Sequence, residues 1–105
     1  MEFIEAPTFT KAVIAWLDDD DYAALQAILA LRPDAGRLIP GGSGLRKLRW
    51  AAEGRGKRGG LRVIYYWLAA DQQIWMLLAY PKNEQDNLSP QQMKQLKTLV
   101  EDLKR

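Results

Sequence analysis

Two residue types are missing from these 105 residues: cysteine and histidine. Without cysteine there can be no disulfide framework, thiol nucleophile or thiolate zinc site. Without histidine the commonest metal ligand and the usual general base near pH 7 are gone. Any catalysis must run on Lys, Arg, Tyr, Ser, Thr or carboxylates, and neither a metal nor a cofactor is expected. Long apolar runs are missing too. The densest, 74–80, spans seven residues and the longest, 63–70, spans eight, whereas a membrane-crossing helix needs about 20. The opening residues Met1-Glu2-Phe3-Ile4-Glu5 lack the basic segment and apolar core of an export signal. The expectation is a soluble, cytoplasmic protein with no membrane partner.

What is present is enough for one compact domain: 48% of the residues are apolar, the usual share for a globular chain. The net charge of +2 conceals an uneven distribution. Seven basic residues, Arg46, Lys47, Arg49, Arg55, Lys57, Arg58 and Arg62, fall within 46–62 beside one acid, Glu53. The rest of the chain is net acidic. A concentrated positive field on a near-neutral body points to an anionic partner, nucleic acid first.

Spacing predicts the elements. Residues 2–6 fit a short strand. Pro7-Thr8 opens a helix with Thr8 as its expected N-cap, and Phe9, Ala12, Val13, Trp16 and Leu17 form its apolar stripe. The acidic run 18–21 suits a helix N-terminus, where free N–H groups carry partial positive charge. Four adjacent carboxylates diverge around a helix, so the run does not read as a metal site. Tyr22, Leu25, Ile28 and Leu29 are expected on the buried face of this second helix, which Pro33 ends. Residues 33–44 read as a loop.

Three strands follow at 45–51, 61–68 and 74–80, the last two joined by a tight turn at Asp71-Gln72. Ser89-Pro90-Gln91-Gln92 carries an N-cap, a proline at the first helical position and a capping-box glutamine. The predicted architecture is α+β, in the order β-α-α-β-β-β-α, with helices packed on one face of a small, mainly antiparallel sheet.

Residues 52–60 link two strands with four glycines and three cations, more chain than a hairpin turn needs. Gly54-Arg55-Gly56-Lys57-Arg58-Gly59 matches G-x-G-x-x-G, but a strand follows where a dinucleotide site needs a helix. A basic loop following a phosphate backbone fits better. Strand alternation puts Lys47 and Arg49 on one face, with Arg46 opposite. Lys47, Arg49, Arg62 and Lys82 are expected to converge on the sheet face away from the helices. The alternative is that each lines a solvated face. The aromatics at 50, 65, 66, 67 and 75 could stack on bases, although strand spacing favours the core for most.

Without histidine, the reaction open to such a cluster is RNA cleavage by the RNA's own 2′-hydroxyl. The nucleophile is then intramolecular, and the protein orients it and stabilises charge on the phosphorus oxygens. Arg suits that charge through bidentate contacts. A Lys whose pKa neighbouring cations lower can serve as base, with a second cation assisting the leaving oxygen.

At these residues the chain resembles the RelE/ParE toxin superfamily, and most closely the HigB-like branch of RelE-type toxins. The resemblance rests on Leu45-Arg46-Lys47-Leu48-Arg49-Trp50, on Gly54 through Tyr66, and on Leu78-Ala79-Tyr80-Pro81-Lys82-Asn83-Glu84 with Asn87-Leu88-Ser89. It implies a ribosome-dependent endoribonuclease that cuts mRNA and is neutralised by a cognate helix-turn-helix antitoxin. It also implies Lys47, Arg49, Arg62 and Lys82 as catalytic, with Arg62 on the transition-state charge, and Arg46, Arg55, Lys57, Arg58 and Tyr80 as RNA contacts. The chain departs from the family at a tyrosine near the C-terminal helix, since 83–92 contains none. Lys47 or Lys82 is then the candidate base, with Tyr80 a further one. The rival within the superfamily is a ParE-like gyrase poison with no nuclease chemistry; a degenerate member that only binds RNA or antitoxin is a third reading. An acidic antitoxin segment is expected over 46–62.

Overall fold

A computed structural model describes residues 1–51 and 60–105. The strands are β1 (Glu2–Glu5), β2 (Arg37–Leu38), β3 (Arg46–Trp50), β4 (Leu61–Leu68) and β5 (Gln73–Pro81), and the helices α1 (Pro7–Trp16), α2 (Asp19–Leu31) and α3 (Pro90–Leu103). The five strands form one sheet in the order β1-β5-β4-β3-β2. β1 runs parallel to β5, while every other neighbouring pair is antiparallel. The α+β architecture is the one expected, with β2 added inside a segment that reads as loop.

Local chemistry sets the helix ends. Pro7 occupies the first turn of α1, where its fixed φ and missing N–H cost nothing. Thr8 is not the cap: Ala6 precedes the helix, and the Thr8 hydroxyl donates instead to the Leu77 carbonyl at 2.7 Å. In α2 the Asp18 carboxylate caps the Asp21 N–H at 2.8 Å, and Asp19, Asp20 and Asp21 fill the first turn. Leu25 and Leu29 are buried, but Ile28, expected beside them, is 41% exposed. It lies about 100° round the helix from Leu29, off the stripe that Leu25 and Leu29 define. α3 begins as predicted: Ser89 accepts from the Gln92 N–H at 3.1 Å, and the Gln92 side chain accepts from the Ser89 N–H at 2.9 Å.

The helices do not share one face of the sheet. Leu61, Val63 and Tyr65 of β4 pack with Phe9 of α1 and with Leu25 and Leu29 of α2. The alternate residues Ile64 and Tyr66 pack with Leu45 and with Val100 of α3. So α1 and α2 cover one face and α3 covers part of the other. The reason lies in β4, whose first six residues are all buried: a strand apolar on both sides needs a layer on each. Trp50 and Trp67 pack against the first cluster and Trp75 against the second, while Tyr65 and Tyr66 are buried.

One irregularity changes which way β5 points its side chains. Ile64 pairs with Leu78 but Tyr65 with Met76, which leaves Leu77 as the extra residue of a β-bulge. Met76 therefore faces α1 and α2, whereas Leu77, Leu78 and Tyr80 face α3. Gly60, leading into β4, has φ +67, and a Cβ there would collide with the Trp50 carbonyl oxygen. Only glycine combines that left-handed backbone with so close an approach.

Candidate functional site

The cationic strand residues meet on the α3 side of the sheet. Register makes this concrete: Arg49 of β3 lies directly opposite Arg62 of β4, and Arg62 directly opposite Tyr80 of β5. Lys47, two residues from Arg49 on the same face, is opposite Ile64. Of Lys47, Arg49, Arg62 and Lys82, expected to converge, the register puts the first three on one face, the face that α3 partly covers rather than one bare of helices.

Arg62 is only 3% exposed, the charged residue that the fold buries among those described. A buried charge is costly unless paired. Its Nε lies 3.5 Å from Oδ1 of Asp86, in the connection that crosses from β5 to α3. The same connection engages its neighbours. Lys47 Nζ donates to Asn87 Oδ1 at 3.0 Å and to the Asp86 carbonyl at 3.4 Å, and the Tyr80 hydroxyl donates to that carbonyl at 3.3 Å. Burial, and then the Asp86 charge, push the Tyr80 phenol above its ordinary pKa, against an opposing pull from Arg62. Tyr80 thus keeps its proton at neutral pH and acts as a donor.

Other candidates are placed differently. Lys82 is exposed just past β5, its backbone N–H bonded to the Gly60 carbonyl at 3.2 Å. Arg46 points to the opposite face, where its guanidinium donates to the carbonyls of Gly36 at 2.8 Å and Asp34 at 3.4 Å. It braces the chain before β2 and does not join the cluster. Arg55, Lys57 and Arg58 lie outside the described residues.

Two residues were missed from sequence. Asp86 is separated from Arg62 by a strand, a turn and another strand, and no spacing rule links them. Arg37 sits in the two-residue strand β2, opposite Lys47. Its signal was compositional only, a lone cation in a Gly- and Pro-rich segment.

Chemically, the cluster sets a buried planar cation beside the half-buried Lys47 and the exposed Arg49, a protonated phenol and a carboxylate. Such a set has the chemistry to accept a phosphodiester and to offset charge that builds on it. Among the described residues no group of His, Cys, Asp or Glu could hold a metal ion, and no helix is long and apolar enough to cross a membrane. Residues 11–105 match the model of a family described as the RelE toxin of the RelE/RelB toxin–antitoxin system.

Proposed function

Because this chain belongs to the RelE toxin family, we propose that it cuts mRNA on the ribosome as a metal-independent endoribonuclease. The observation that carries this reading is the gathering of Lys47, Arg49 and Tyr80 around a buried Arg62 on one sheet face. The 2′-oxygen attacks the adjacent phosphorus while the bond from phosphorus to the 5′-oxygen of the next nucleotide breaks. A 2′,3′-cyclic phosphate and a free 5′-hydroxyl result. Arg62 takes the charge that builds on the non-bridging oxygens, with Arg49 beside it. The 2′-hydroxyl proton passes to the Asp86 carboxylate rather than to Lys47 or Lys82: guanidinium groups do not deprotonate, Tyr80 retains its proton, and Lys47 Nζ is engaged as a donor to Asn87 and the Asp86 carbonyl. Lys47 or Lys82 supplies the proton to the leaving oxygen. DNA lacks the 2′-hydroxyl and is not cut.

As a member of this family the protein has an antitoxin partner. In our reading that partner is a helix-turn-helix protein whose acidic segment covers 46–62, and the chain is of the HigB-like branch, a reading that the motif from Gly54 to Tyr66 supports. Primer extension on a reporter mRNA, in a reconstituted translation reaction and again without ribosomes, tests the function. Cuts in register with codons and only with ribosomes are expected. Intact mRNA from a preparation that still arrests growth would overturn the reading in favour of a gyrase poison. Cuts in naked RNA would remove the ribosome from it.

A further inference from the structure

The cation row does not stop at β3. Arg37 of β2 is the direct cross-strand partner of Lys47, and directly opposed residues of an antiparallel pair project on the same face. Arg37, Lys47 and Arg49 line a cleft of about 220 Å³ at the β2–β3 edge, together with Ala35 and Leu48. The pair Arg37–Lys47 runs alongside the pair Arg49–Arg62, two residues away along β3, or about 7 Å. Neither Arg37 nor Arg49 has a carboxylate partner among the described residues.

The chain leading into β2 is held with unusual care for a two-residue edge strand, an element that on its own would fray. The buried Tyr65 hydroxyl accepts from the Gly36 N–H at 2.8 Å and donates to the Pro33 carbonyl at 2.7 Å. Arg46 grips the Gly36 carbonyl from the side. A Cβ at Gly36 would lie 2.8 Å from the Tyr65 ring, so only glycine lets the two approach. These contacts fix the residue that immediately precedes Arg37.

We infer that the cleft lined by Arg37, Lys47 and Arg49 is a second phosphate subsite, taking the RNA phosphodiester next to the one being cut. This rests on the nuclease reading and extends it: Arg37 is a binding residue that sets where the strand lies, and Arg46 and Tyr65 are its positioning residues. A contact made equally in ground and transition states changes KM and leaves kcat alone.

The test is steady-state cleavage of mRNA on programmed ribosomes, with ribosome concentration varied, for the wild type, Arg37→Gln, Arg37→Lys and the remote control Lys11→Gln. Arg37→Gln is expected to raise KM about tenfold with kcat unchanged. Arg37→Lys should recover part of the loss, and Lys11→Gln should match the wild type. An unaltered KM in Arg37→Gln would overturn the subsite. So would an equal rise in Lys11→Gln, which would make the effect one of net charge, or a fall in kcat with a lowered melting temperature, which would make it structural. Weakened antitoxin binding at wild-type KM would assign the cleft to a carboxylate partner and overturn it too. A wild type that cuts nothing would sink the nuclease reading itself, a result distinct from all of these.

Discussion

Arg49 and Arg62 stand directly opposite one another across β3 and β4, two like charges in a position where sheets favour opposite ones. Among the described residues no carboxylate faces Arg49 to offset that repulsion. Replacing the exposed partner, Arg49→Gln, should therefore raise stability slightly, by about 0.5 kcal/mol after allowing for solvent screening. The same change should lower kcat/KM by about tenfold. Urea unfolding and ribosome-dependent cleavage measured on one preparation check both signs together. A variant that is both less stable and fully active contradicts the assignment.

Removing the buried cation is more severe for chemistry than for folding. Arg62→Ala should reduce kcat about 100- to 1,000-fold, the usual cost of deleting a donor to transition-state charge. Its partner Asp86 is 58% exposed and resolvates easily, so the protein should still fold and bind its antitoxin. Arg62→Lys should remain poor, because a point charge cannot reproduce a planar fork. Cleavage assays beside circular dichroism separate the two effects, and a fully active Arg62→Ala would remove Arg62 from the mechanism.

Asp86→Asn tests proton transfer. The amide keeps the shape but accepts no proton, so kcat should fall about 100-fold or more. KM should stay level or drop, because the carboxylate no longer competes with RNA for Arg62. Faster cleavage at saturation would instead make Asp86 a counter-ion and return the base role to Lys47.

Alkaline pH should unfold this protein through its tyrosines. Burial raises the phenol pKa of Tyr22, Tyr65 and Tyr80 above the ordinary value of 10.0, with Glu5 adding to the shift at Tyr22 and Asp86 at Tyr80. The unfolded chain then loses these protons first. Stability is fully present below about pH 10 and declines as pH rises through the folded-state values. Tyr65→Phe should flatten that decline, and should also cost about 1–3 kcal/mol for the stranded Gly36 N–H and Pro33 carbonyl. Urea midpoints at pH 8 and above pH 10 measure both.

Much of the fold was legible in the sequence, for identifiable reasons. The start of α3 was readable because a capping box is local chemistry, complete within four residues. The strands β4 and β5 were readable from β-branched and aromatic content. The placement of α3 was not read, because amphipathicity shows that a helix has an apolar side but not which sheet face receives it. The clue was there in Val63-Ile64-Tyr65-Tyr66, apolar at consecutive positions rather than alternate ones. Of the site, Lys47, Arg49 and Arg62 were legible from strand alternation and charge. Arg46 was grouped with them by charge, although alternation already put it on the other face. β2 escaped because it is two residues long and the chain before it is held by Tyr65, 29 residues away in sequence. Asp86 meets Arg62 through tertiary closure alone.

The bulge at Leu77 behaves like a frameshift written in three dimensions. Up to Met76, the even-numbered side chains of β5 serve the α1–α2 core; past the inserted residue, evenness changes meaning and Tyr80 joins Arg62. A β5 shortened by one residue would keep nearly the same composition and still send its tyrosine into the wrong compartment. The strand is thus two half-sentences in different frames, one spelling packing and the other chemistry. Substitutions at Ile74 or Met76 can retune the core without editing the site, and Thr8, bonded to the carbonyl at the junction, is the punctuation between them.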